Sequence, residues 1–212
     1  MAILNEGING GFRGRVGKVI GYYLNGQWVM RSLPKRTAKN KIGSVDQNIH
    51  RSRFSKMQHF LAPLLNLIKV GFKLEATGTT KSAHNMAKSY NMLHAFNEEN
   101  EIDCSKVLLC YGKLASPINA AVIPIATGFQ FTWAFDPREK HANIDDQVMM
   151  VAYNTDNREA YFTISGAKRP LGMDDLLIPG VEKGNVFHTW IAFIANDRES
   201  ISMSRYIGEM VY

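Results

Sequence analysis

VFHTWIAFIA, residues 186–195, is the stretch on which the fold turns. His188, Trp190, Ala192 and Ile194 alternate with Phe187, Thr189, Ile191 and Phe193, and both sets are largely apolar. Aromatic and β-branched residues at a period of two mark a strand. Apolar residues on both faces mark a strand covered on both sides, at the centre of a sheet. Related runs lie on either side of it: VLLCYGKL (107–114), FQFTWAF (129–135), QVMMVAYN (147–154), EAYFTIS (159–165), DLLIP (175–179) and the tail SMSRYIGEMVY (202–212). Ser116-Pro117, Asp136-Pro137, Thr155-Asp156-Asn157 and Pro179-Gly180 separate them as turns. Seven such runs within about 110 residues predict a β-sandwich of the immunoglobulin or fibronectin kind. The Cys-Trp-Cys spacing of antibody domains does not occur.

The first half reads differently. Residues 1–100 hold 15 Lys+Arg against 5 Asp+Glu, and residues 101–212 hold 10 against 14. The expected organisation is therefore a basic hairpin and helical region, 1–100, followed by a β-sandwich domain, 101–212. The class is α+β, with an N-terminal β-hairpin, two to three helices and a C-terminal immunoglobulin/fibronectin-like sandwich. Asn25-Gly26, between VGKVIGYYL and QWVMRSLP, is a strong hairpin signal. A lone hairpin is marginal in water, so this one must pack on something. Residues 35–45, KRTAKNKIGSV, form a basic linker. Asp46 can cap a long helix whose apolar face carries Phe54, Met57, Leu61, Leu64, Ile68 and Phe72, with Pro63 kinking it or starting a second helix. Ser82 can cap a shorter helix with Ala83, Met86, Ala87, Tyr90 and Leu93 on one side.

The segment from Asn5, NEGINGGFRGRVGKVIGYYLNGQWVMRSLP, resembles the opening of a family of uncharacterised Bacteroidetes proteins classed as a domain of unknown function. The resemblance continues in QNIHRSRFSKMQHFLAPLLNLIKVGFK, EIDCSKVLLCYGKL, QVMMVAYN and VFHTWIAFIANDRESISMSRYIGEMVY. This chain has Asn40-Lys41 where the family usually shows Asn-Pro. Similar glycine-and-arginine openings occur in phage-like proteins. The resemblance implies no activity and no catalytic residue.

The candidate binding residues come from the basic front. Arg13, Arg15, Lys18 and Arg31 sit in or near the hairpin, Lys35 and Arg36 in the linker, and Arg51 and Arg53 at the start of the helix. Such density can meet phosphates without reading bases, and Tyr22, Tyr23 and Trp28 offer stacking surfaces to a single strand. The same residues also suit a protein partner, with the aromatics excluding water. The match of Gly10, Gly14 and Gly17-Lys18 to a nucleotide loop is weak, because Val19 follows Lys18 where a Ser or Thr is required.

No catalytic constellation emerges. The histidine pairs His50/His59 and His84/His94 lack the spacing of a helical zinc pair, and no H-E-x-x-H occurs. His188 reads as a packed or half-exposed strand residue. Cys104 and Cys110 read as buried free thiols. Asp145-Asp146 and Asp174-Asp175 read as solvated loop ends. Trp133 and Trp190 are the aromatics a glycan site would use, although the strand pattern sends both to the core.

The expected function is therefore non-enzymatic: an interaction or assembly protein, phage-like or surface-associated, binding a protein partner or its own copies. A nucleic-acid-associated protein and a glycan-binding module are the alternatives. No cofactor or metal is expected. Glycines interrupt the N-terminus before any signal-peptide core forms, and no run reaches the roughly 20 apolar residues of a bilayer span, which favours a cytoplasmic or virion-like setting.

Overall fold

The computed structural model describes the backbone of residues 3 and 4, and residues 10–24, 26–33 and 43–212. Lys35, Arg36, Asn25 and most of the predicted linker lie outside the described residues. The chain divides into two compact units, Met1–Asn48 and Ile49–Tyr212. The boundary expected near residue 100 thus falls inside the second unit. The reason is packing: helical residues such as Met57, Leu61 and Ile68 share a core with strand residues Met149, Val151 and Trp190.

In the first unit, strands β1 (Ile3–Leu4), β2 (Phe12–Val16), β3 (Val19–Leu24) and β4 (Gln27–Ser32) form an antiparallel sheet in chain order. The predicted hairpin is β3–β4, with Leu24 opposite Gln27. A second tight turn joins β2 to β3, with Val16 opposite Val19. Gly17 takes φ +56° at the first loop position, a left-handed value natural to glycine.

Helix α1 (Val45–Leu61) begins with a capping box rather than at Asp46. Gln47 N–H donates to Ser44 Oγ, and Ser44 N–H donates to Gln47 Oε1, both at 3.2 Å. In the second unit, the chain breaks after Leu61 around Pro63 as expected and resumes as α2 (Leu65–Gly71) and α3 (Lys73–Ala76). Ser82 caps α4 (Ala83–His94) by accepting from Asn85 N–H.

Seven further strands follow: β5 (Ile118–Ile125), β6 (Gly128–Ala134), β7 (Gln147–Asn154), β8 (Glu159–Thr163), β9 (Met173–Leu177), β10 (Val186–Ile194) and β11 (Arg205–Val211). They form two antiparallel sheets, ordered β11-β10-β7-β8 and β5-β6-β9. Phe129, Phe131 and Trp133 of the smaller sheet meet Phe187, Ile191 and Phe193 of the larger one, which makes a sandwich. Alternate residues, Met149, Val151 and Tyr153 on β7 and Trp190, Ala192 and Ile194 on β10, face the helices instead. The larger sheet is therefore covered on both sides, and β7 and β10 are its two central strands.

One predicted strand is absent. Val107, Leu108, Leu109 and Cys110 are buried, but residues 107–114 join no ladder beyond a single bridge at Leu114. The backbone of this segment pairs with scattered backbone groups, such as Tyr111 N–H with Gly71 O, and at Leu108 and Leu109 with side chains. Asn91 Oδ1 accepts from Leu108 N–H while its Nδ2 donates to Leu108 O, both at 2.8 Å. Ser204 Oγ accepts from Leu109 N–H at 2.8 Å. The seventh strand is β5, which carries Pro124 on a strand at the edge of its sheet.

Candidate functional site

The N-terminal sheet sorts the predicted binding residues onto two faces. Side chains alternate along a strand, and the registers Gly14↔Gly21, Ile20↔Arg31 and Tyr23↔Trp28 fix which share a side. One face carries Arg13, Arg15, Ile20, Tyr22 and Arg31. Arg15, Ile20 and Arg31 form a single cross-strand row, and the Arg31 guanidinium lies 5.6 Å from the Tyr22 ring centre. The other face carries Phe12, Val16, Val19, Tyr23, Trp28 and Met30. Trp28 rests edge-on against Phe12, with its Nε1–H donating to Phe12 O at 3.0 Å. A Cβ on Gly11 would stand 2.4 Å from the Trp28 ring, so glycine is what lets the indole lie there.

The expected platform of Tyr22, Tyr23 and Trp28 does not form as one surface. Tyr22 is alone with the arginines because it neighbours Tyr23 on one strand, and neighbours point opposite ways. Lys18 sits in the exposed β2–β3 turn. Arg51 and Arg53 lie on α1 in the second unit. Arg53 Nε donates to Asn100 Oδ1 at 2.7 Å, and its guanidinium covers the Phe96 ring at 5.3 Å, so it is engaged within that unit.

The second unit holds a feature that the sequence reading did not single out. A cavity of about 790 Å³ opens where the helices stop covering the larger sheet. Its floor is a cross-strand row, Tyr153 on β7, His188 on β10 and Glu209 on β11. Tyr206 joins them because the β10–β11 register slips between Thr189 and Trp190, with Gly208 at φ +146°. In a regular strand, residues 206 and 209 would face opposite ways; the bulge turns both toward the cavity. Tyr206 and His188 Nδ1 are 2.9 Å apart. The walls include Lys56 and His59 of α1, Cys104 and Ser105 of a short 3-10 turn, and Thr155 and Arg158 of the β7–β8 connection.

Electrostatics set the protonation of these groups. Burial pushes His188 below its ordinary value, against the pull of Glu209 and Asp156. Burial, together with nearby Cys104, Glu209 and Asp103, pushes the Tyr206 phenol up to about 12. The Tyr206 hydroxyl and His188 Nδ1 share one hydrogen bond, and the tautomer of the imidazole sets which of the two donates. The Cys104 thiol is pushed up to about 12 by burial and by Asp103 and Glu209, and Cys110 to about 12 by burial. Both thiols stay protonated near neutrality and are poor nucleophiles. Among the described residues, no group of three or more His, Cys, Asp or Glu is gathered to hold a metal.

The model of a family of unknown function, DUF6266, matches residues 11–208. The chain belongs to this family. No curated protein matches it. The DUF6266 match begins at Gly11, against which Trp28 packs, and ends at Gly208, the glycine of the bulge. It thus takes in the two-faced sheet and most of the cavity. Gly208 was also the sequence signal for the cavity, since a glycine inside an otherwise bulky strand marks a bulge.

Other readings are adjusted by the structure. Asp146 is not a solvated loop end but lies buried beside Arg169. Asp174 accepts from Ala167 N–H at 2.7 Å. Trp133 and Trp190 are buried, with indole N–H groups donating to Arg169 O and Val107 O, and so present no surface to a glycan. Among the described residues, no helix is long and apolar enough to cross a membrane.

Proposed function

We propose that the chain is an interaction or assembly protein whose N-terminal sheet is the docking element. One observation carries this reading. Val16, Tyr23, Trp28 and Met30 lie on one face of that sheet and stay 49%, 43%, 39% and 54% exposed. A contiguous apolar face left to water marks a contact surface. Burying it removes apolar area at roughly 25 cal/mol per Å². The arginines on the opposite face keep the sheet soluble and do not interrupt the contact. The partner is a second copy of the chain or another protein. Sedimentation velocity of the full chain over a wide concentration range tests the first case. A concentration-dependent increase in mass supports it, and a constant monomer counts against it.

A second reading has its own observation. Arg13, Arg15, Arg31 and Tyr22 share one face, which would grip a phosphate backbone and stack one base. Retention of a single-stranded oligonucleotide that falls steeply with salt, and falls again when Arg13, Arg15 and Arg31 are replaced by Gln, supports it. Retention unchanged by those replacements contradicts it.

The seven-stranded sandwich reads as the fibronectin-like variant of the immunoglobulin architecture. Counted from β5, its fourth strand pairs with the third rather than closing the other sheet. One architecture hosts many unrelated functions, so this likeness leaves the chemistry to the residues.

A further inference from the structure

We propose that the cavity over β10 binds a neutral polyhydroxylated ligand, one or two sugar units long, between Tyr206, His188, Arg158 and Glu209. The proposal is independent of the docking role of the N-terminal sheet.

Charge selects the ligand class. The wall cations are Lys56 and Arg158, and the wall anions are Glu101, Asp103 and Glu209. Lys56 is paired with Glu101, and Asp103 with Lys106 at 2.9 Å. Arg158 and Glu209 remain, one cation and one anion, neither with an ion-pair partner among the described residues. A phosphate or nucleotide calls for cations in excess, which this cavity lacks. Sugar hydroxyls both donate and accept, so they need donors and acceptors interleaved. Arg158 only donates, Glu209 only accepts, and Ser52, Ser55, Ser105 and Thr155 do both.

Shape agrees with charge. The volume of about 790 Å³ lies within the roughly 300–1,000 Å³ range of small-molecule sites. The half-buried Tyr206 ring, 6.0 Å from the His188 ring, gives a flat apolar patch beside polar groups, as a pyranose face requires. The β11 bulge brings Tyr206 and Glu209 to one side, an arrangement that regular pairing would forbid.

The test is an NMR titration of the full chain, following the His188 ring protons. The probes are glucose, galactose, mannose, N-acetylglucosamine, maltose and cellobiose, with glycylglycine and AMP as the zwitterionic and anionic arms. At least one sugar should give a saturable shift with a Kd in roughly the millimolar range. Arg158→Gly and Glu209→Gln should each weaken it by about tenfold or more. Both variants should keep the fold, since Arg158 sits at φ +56°, where glycine is unstrained, and Glu209 is exposed. Spectra unchanged away from the cavity confirm that. Saturation by AMP or glycylglycine alone, no saturable shift with any sugar, or sugar binding untouched by both variants would overturn the proposal.

Discussion

Arg169 Nε donates to Asp146 Oδ2 at 2.8 Å, with the two side chains only 3% and 1% exposed. The guanidinium also donates to Ala115 O at 2.7 Å and lies 3.8 Å from the Phe193 ring centre. One cation thereby ties the loop before β5, the β7 approach and the central strand β10 together. Removing one partner strands a buried charge, so Arg169→Met should cost about 3–5 kcal/mol. Arg169→Met combined with Asp146→Leu should cost less than the single change. Urea denaturation of the three proteins checks this; a double variant weaker than the single one contradicts it.

Asn91 replaces a missing strand neighbour. It is fully buried on α4 and makes both hydrogen bonds to the Leu108 backbone. Asn91→Leu leaves a buried donor and a buried acceptor unmatched, each worth about 1–3 kcal/mol. The expected result is a stability loss near the sum of the two, with faster hydrogen exchange at the Leu108 amide. Unchanged protection of that amide would contradict the pairing.

Gly71 lets α2 touch the same segment. A Cβ there would stand 2.4 Å from Leu109 O and 2.9 Å from Cys110 Sγ. Gly71→Ala should therefore destabilise by roughly 1–3 kcal/mol, although alanine favours helices elsewhere. A neutral or stabilising effect on the melting temperature would show that the contact is looser than described.

His188 gives the fold a pH dependence of known sign. Its folded pKa lies below the ordinary 6.5, so the unfolded chain takes up a proton that the folded chain refuses. Its contribution is intact above about 6.5 and is lost as the pH falls from there toward the depressed folded value. His84, lowered by burial and by Lys88, acts in the same direction. His188→Gln should shrink the stability difference between about pH 7 and about pH 5, read from urea midpoints. A difference as large as in the unaltered chain would remove His188 as a cause.

The legible parts of the sequence were those with a clear period or a local signal. VFHTWIAFIA announced a two-sided central strand, Asn25-Gly26 the hairpin, Pro63 the helix break and Ser82 a cap. Residues 107–114 were misread because their apolar content reports burial, and burial without a ladder depends on Asn91 and Ser204, distant in sequence. Leu93, placed on the packed side of α4 by spacing, is 78% exposed, and polar Asn91 is buried in its stead. Ile118–Ile125 was missed because Pro124 speaks against a strand unless an edge accommodates it. Asp146 looked like a solvated turn because its partner Arg169 is 23 positions away. The cavity groups come from separate strands and a helix, and only the Gly208 bulge left a trace in the sequence.

The role of the N-terminal sheet is tested most directly by the solution mass of the full chain and two variants, measured by light scattering at matched concentrations. Met30→Lys charges the apolar face at an exposed position; Arg31→Gln alters the opposite face one residue away. The account predicts an assembly in the unaltered chain that persists in Arg31→Gln and dissociates in Met30→Lys. Equal masses for all three, or an assembly lost only in Arg31→Gln, would contradict a second copy of the chain as the partner of this face.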